Sequence, residues 1–223
     1  MTKTSSENTA RKRRPSASRR PAYWGEACQA LASVDPVMAR LIDDYPEATL
    51  RSRGEAFVTL VRSIVGQQIS VKAADAVWGR LLASVPVISV PAILAADPAV
   101  LRNAGLSLRK IEYVKHLAER FAAGQIRPRR WPRMTDEAIV EELVATRGIG
   151  VWTAEMLLIF NLMRPDVFPL DDIGLQKAVA VHYFDGVRPH KAELRTFGER
   201  WAPWRSVATW YLWRSLDPVP VEY

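Results

Sequence analysis

Cysteine is almost missing. Cys28 stands alone among 223 residues, which excludes an internal disulfide and any multi-cysteine metal or iron–sulfur site built by this chain alone. Histidine is scarce too. His116, His182 and His190 show no metal-ligand spacing, so no metal enzyme chemistry is expected of them. No apolar run reaches 18 residues, the length a spanning helix would need, so no membrane partner is expected. No apolar segment follows the N-terminal charges, which argues against a secretory signal. These absences lead to the expectation of a soluble intracellular protein. Strand patterns are also wanting: the stretch 85–90 is short and apolar but reads as a bridge between helices. Acid is missing from residues 1–20, Glu7 excepted.

The first segment holds Lys3, Arg11, Lys12, Arg13, Arg14, Arg19 and Arg20. Six of the seven net positive charges therefore lie there, and the other residues are nearly neutral. The balance describes a disordered basic tail over residues 1–22 more than a basic folded face. A phosphate-attracting arm, a solubilising tail and an Arg- and Ser-rich transit peptide all fit that composition.

With 48% hydrophobic residues, the chain can bury a proper core. From Tyr23 onward the period is helical. Phe57, Leu60, Val61, Ile64 and Val65 repeat at 3.6-residue spacing, as do Val77, Trp78, Leu81 and Leu82 after an interruption at Gly66–Ser70. Asp97-Pro98 is a helix start, and Ser107 caps a helix carrying Ile111, Val114, Leu117, Ala118 and Phe121. Further helices are expected over 173–183 and about 203–215. The fold class is all-α, with eight to ten short helices.

The chain is organised around Leu143–Phe160, LVATRGIGVWTAEMLLIF. Gly148 and Gly150 flank Ile149 between two apolar helical patterns. Glycine accepts positive φ and close backbone approach, so the spacing predicts helix, tight turn, helix. Free N–H groups at the start of the second helix, helped by its dipole, suit one phosphate. An ordinary αα-hairpin in a helical core has the same spacing. Asp171 and Asp172 follow 22 residues beyond Gly150 and begin another helix. One such acid serves as an N-cap; two exceed what capping requires.

GIGVWTAEMLL followed by FPLDDIGLQKA resembles the helix-hairpin-helix, Gly/Pro-loop, Asp signature of the HhH-GPD DNA glycosylase superfamily. Within it the chain is similar to the 3-methyladenine DNA glycosylase II family. IVGQQISVKAA (64–74), GLSLRKIEYVKHLA (105–118) and ERWAPWRSVATWYLWR (199–214) fit that family in the same order. The resemblance spans about residues 35–216.

The resemblance implies two helical subdomains flanking a DNA-binding cleft. One is a six-helix barrel over 59–164, ending in the hairpin at 147–150; the other joins 23–58 with 165–223. It implies that Asp172 is catalytic and that Asp171 caps the helix. Arg147, Gly148, Ile149 and Gly150 would hold DNA phosphate through backbone N–H groups. Their carbonyls, near Arg147 and Ile149, would take a structural Na or K ion. Gln68, with Gln67 beside it, would enter the gap left by a flipped nucleotide. Ser107, Arg109 and Lys110 are further candidates for DNA contact; for Arg109 and Lys110 a solvated face is the competing reading. Tyr113 is assigned to the core.

Trp152 stands where the strand-cleaving branch of the superfamily carries a Schiff-base lysine, so base release without lyase chemistry is expected. Trp152 and Trp213 take the family's pocket tryptophan positions. For Trp213 core packing is an equal reading. Met156 and Ile173 stand where some members have tyrosines, which leaves the lesion range open.

A purine methylated at N3 or N7 is cationic with a weakened glycosidic bond, and an aromatic face attracts it by about 0.5–2 kcal/mol. The expected activity is therefore a monofunctional, monomeric glycosylase, needing no cofactor and no iron–sulfur cluster. It acts on alkylated purines in double-stranded DNA, in the cytoplasm on the nucleoid, or in a nucleus or organelle if eukaryotic. A same-fold glycosylase for a deaminated or etheno base and a non-catalytic hairpin DNA-binding protein are the alternatives.

Overall fold

The computed structural model describes residues 20–47, 49–52 and 54–216. The basic tail proper, residues 1–19, lies outside them. Among the described residues there are twelve α-helices and no strand. They are α1 (Trp24–Val34), α2 (Pro36–Asp44), α3 (Ala56–Gly66), α4 (Val71–Ser84), α5 (Val90–Ala95), α6 (Pro98–Asn103), α7 (Leu108–Ala122), α8 (Asp136–Val144), α9 (Val151–Phe160), α10 (Ile173–Tyr183), α11 (Lys191–Gly198) and α12 (Arg205–Leu216). Short 3₁₀ turns occupy Pro128–Arg133 and Glu199–Trp201. The excess over eight to ten helices comes from brief ones such as α5 and α6. Each starts at a Ser or Asp cap with proline in its first turn, a local device that needs little apolar periodicity.

The apolar stripes are buried as their periods predict. Phe57, Leu60, Val61, Ile64 and Val65 of α3 all face the core, as do Ile111, Val114, Leu117 and Ala118 of α7. The helix after the glycine turn is different. Ala154 and every residue from Met156 to Phe160 are buried, so α9 has no solvent stripe and is a central strut. Each large side chain of that run contributes about 1.5–3 kcal/mol of burial.

Helix packing falls into two sets. α3 touches α4, α7 and α9, α7 also touches α5 and α6, and α8 packs on α9. α12 touches α1, α2 and α10. The sets are joined where the Phe160 ring stacks on Trp213, where the Tyr23 hydroxyl donates to the Met163 carbonyl at 2.8 Å, and where Asn161 Nδ2 donates to the Gly54 carbonyl at 2.6 Å. The end of α9 is thus pinned against both sets, and the start of α10 is brought beside it. No helix among the described residues is long and apolar enough to cross a membrane.

Candidate active site

The glycine turn is held from below. Ile149 is buried, while Arg147 and Gly150 are exposed. Gly148 has φ +82°, and a Cβ there would lie 2.2 Å from Cδ2 of Tyr113. Gly150 has φ −93° and an open position for a Cβ. Only the first glycine is conformationally required; the second leaves room at the surface. α9 has no side-chain cap, unlike α4, α7, α8 and α10. Among the described residues the amides of Gly148 and Gly150 have no acceptor. A helix start left open in this way is a phosphate cradle. Gln67, Gln68, Ser107, Arg109, Lys110, Tyr113 and residues 148–150 line a hollow of ≈ 330 Å³ in front of it.

Asp172 sits at the start of α10, 9% exposed. Its Oδ1 accepts from the Leu175 amide at 2.6 Å and from Trp213 Nε1 at 2.7 Å; its Oδ2 accepts from Trp152 Nε1 at 2.9 Å. Three N–H donors from α10, α12 and α9 therefore fix one carboxylate as an acceptor in a single orientation. Gly174 makes the arrangement possible, since a Cβ there would come 3.2 Å from both Asp172 Oδ1 and Trp213 Cδ1.

The carboxylate opens on a cavity of ≈ 520 Å³, within the size range of small-ligand sites. Its walls include Arg62, Gln67, Gln68, Ile69, Asp75, Trp152, Met156, Phe160, Asp171 and Ile173. Three carboxylates face one guanidinium across this space, and apolar and aromatic groups fill the rest. Such a lining attracts a flat cation. Gln68, exposed at the tip of the α3–α4 turn, has φ +58°. A non-glycine residue held there is strained, and such strain gathers at functional turns.

Residues 61–203 match the HhH-GPD superfamily of base excision DNA repair proteins. The chain belongs to that superfamily. Its relatives carry the name of one branch. It is 32% identical over 182 residues to DNA-3-methyladenine glycosylase 1 of Schizosaccharomyces pombe, covering 80% of each chain. It is also 32% identical to DNA-3-methyladenine glycosylase 2 of Escherichia coli, over 85% of this chain and 68% of the other. The solved structure of the S. pombe 3-methyladenine DNA glycosylase in complex with abasic DNA overlays with a TM-score of 0.75 at 30% identity, covering 89% of this chain and 99% of that one.

Several residues of this HhH-GPD chain sit differently from their sequence assignments. Asp171 does not cap α10: the cap is Asp172 itself, while exposed Asp171 pairs with Lys191 at 2.6 Å. The chain turns at the helix start, so only the second acid points inward. Lys110 is neither a solvated nor a free phosphate-binding cation. Its ammonium donates to the carbonyls of Val65 and Gln67 at 2.8 Å each, closing the end of α3, and burial lowers its pKa. Arg109 remains exposed on the rim. Ser107 spends its hydroxyl capping α7. Gln67 donates to the Gly148 carbonyl at 2.7 Å, tying the α3–α4 turn to the hairpin. The Arg147 amide donates to His116 Nδ1 at 3.1 Å, so it is not an open phosphate donor. Among the described residues Trp213 does not line the cavity; it stacks under Phe160 and reaches Asp172 from behind. Trp152 and Met156 do line it, and Ile173, 68% exposed, forms its lip.

Residue reasoning alone missed Tyr113 as the floor of the glycine turn, His116 as its brace, and Arg62 with Asp75 in the cavity. Position in a helical repeat carried no signal for any of them. Glu155, one turn after Trp152, was missed as well. Burial, with Asp171 and Asp172 nearby, raises its pKa to about 7.

Proposed function

We propose that this protein is a monofunctional DNA glycosylase that extrudes an alkylated purine and hydrolyses its N-glycosidic bond, leaving an abasic site. The observation that carries this reading is the oriented Asp172 carboxylate at a ≈ 520 Å³ cavity beside an open helix start. A lone binding module needs no such carboxylate.

The hairpin amides take one phosphate of double-stranded DNA. Gln68 enters the stack as the damaged nucleotide leaves it, at a cost of a few kcal/mol that is least for a poorly stacked lesion. The base passes Trp152 into the cavity. As the bond to C1′ stretches, the sugar gains oxocarbenium character, and Asp172 stabilises that charge in a site sheltered from water. Water then attacks C1′ and the carboxylate receives its proton. A methylated cationic base leaves as a neutral molecule and needs no acid.

Release of base without strand cleavage follows from the lining. Among the described residues no lysine lines the cavity, and nearby Lys191 is held by Asp171, so no amine is placed to form a Schiff base. A monovalent ion fits the hairpin as part of the same reading. The carbonyls of Arg147 and Ile149 have no donor among the described residues, while Gly148's is taken by Gln67; bare carbonyls suit a hard cation. The chain acts as a monomer, on the nucleoid or in a nucleus, with the two helix sets as subdomains flanking the DNA. Their first changeover lies before Ala56 rather than at 58/59, since α3 runs unbroken through those positions.

The test is Asp172→Asn on DNA containing 7-methylguanine. The amide is nearly isosteric, so DNA affinity is retained, while base release falls by at least about 10²-fold, the scale of a lost transition-state charge interaction. Release at the wild-type rate refutes the assignment. A borohydride-trapped covalent adduct with the wild-type protein would refute the absence of lyase chemistry.

A further inference from the structure

Arg62 is the one cationic side chain lining the cavity among the described residues. It is not loose. Nη2 donates to Asp75 Oδ1 at 3.1 Å, and the guanidinium carbon lies 5.8 Å from the centroid of Trp78. The ion pair comes from the next helix, so α3 and α4 together aim the group. The other polar groups of that wall are committed elsewhere. The Thr59 hydroxyl donates to the Glu55 carbonyl, the Ser63 hydroxyl to the Thr59 carbonyl, and the Gln67 amide to the hairpin. A guanidinium has five N–H donors, and Asp75 uses one.

A cavity made only for cationic bases gains nothing from a fixed positive charge, which opposes their binding. The same charge is useful for a base that departs with negative charge. We infer that Arg62 is a specificity-determining residue that stabilises the departing base when the lesion is neutral, extending release from cationic alkylpurines to neutral purines such as hypoxanthine.

The inference rests on the glycosylase reading above. With the sugar against Asp172, the base extends into the remaining space, lined by α3, α4 and α9. The C1′–N9 bond breaks with both electrons passing to N9. A 7-methylguanine then leaves neutral. Hypoxanthine leaves as a purine anion, which accepts N–H hydrogen bonds from Arg62 and takes a proton from water after release. In both cases water supplies the oxygen to C1′ and its proton goes to Asp172. A fixed guanidinium in a site of low dielectric acts on developing anionic charge as oxyanion donors do.

The experiment measures single-turnover release of hypoxanthine and of 7-methylguanine from otherwise identical duplexes, for the wild-type protein, Arg62→Gln and Arg62→Lys. The expected result is that Arg62→Gln lowers the hypoxanthine-to-7-methylguanine rate ratio by about 10²-fold, with Arg62→Lys intermediate because it keeps charge but loses the planar fork. Should Arg62→Gln fail to fold, Arg62→Lys alone carries the test. An unchanged ratio in the folded variants, with both rates falling together or neither falling, overturns the inference and leaves the glycosylase reading intact. So does a wild-type protein that releases 7-methylguanine but no hypoxanthine. Release of neither base by the wild type ends both.

Discussion

Gly148→Ala is expected to damage the protein where Gly150→Ala does not, although the two glycines sit two residues apart in one turn. The added methyl at 148 meets two obstacles. At φ +82° an L side chain costs about 1–2 kcal/mol. The Cβ would also stand 2.2, 2.3 and 2.7 Å from three atoms of the Tyr113 ring, far inside the 3.5–4 Å of normal carbon contact. Either the ring or the hairpin must shift, at about 1–3 kcal/mol. The total is about 2–5 kcal/mol, or roughly 4–20 °C in Tm for a chain of this size. At Gly150, with φ −93° and nothing within 4 Å of a Cβ, the change should stay within about 0.5 kcal/mol. Urea denaturation of both variants measures this directly. A Tyr113→Ala, Gly148→Ala cycle then separates the two obstacles. Removing the ring should relieve the steric part, giving a coupling of about 1–3 kcal/mol, and leave the backbone part. Equal losses at the two glycines, or no coupling with Tyr113, would refute the claim that the ring sets the shape of the turn.

Trp213→Phe keeps the stack on Phe160 but removes the 2.7 Å donor to Asp172. A hydrogen bond to a charged group is worth about 1.5–3 kcal/mol, so base release should slow by roughly 10–100-fold with near-native secondary structure by circular dichroism. Lys110→Met should lower stability by about 1–3 kcal/mol, because two α3 carbonyls lose their donor. The slope of DNA affinity against salt should not change; a drop of about one in that slope would restore Lys110 as a phosphate contact. Glu155 sets a pH dependence. Its pKa is raised by burial to about 7 in the folded protein, so the folded state holds the proton longer than the unfolded one. Its contribution to stability is full below the ordinary glutamate range and is lost as pH rises towards and through about 7. Subtracting the Glu155→Gln profile from wild type, by urea melts at pH 5 to 8, should isolate that falling slope, and a flat difference would contradict it.

Much of this molecule was readable before any coordinates. The stripes of α3 and α7, the caps at Ser107 and Asp97, and the glycine turn depend on interactions within a few residues, so helices and hairpin could be placed from spacing alone. The motifs were equally readable, because the turn and the acid pair recur in a set order. The site was another matter. That Asp172 and not Asp171 faces inward depends on donors 20 and 41 residues away, Trp152 and Trp213. That Lys110 closes α3 depends on where α7 lies against it. Arg62, Tyr113 and Glu155 looked like ordinary helix residues, and only packing brought the first into the cavity, set the second beneath a glycine and hid the third from water. Periodicity reports which face of a helix is apolar. Which distant groups meet a polar side chain, and whether they solvate it, is decided by the arrangement of the helices.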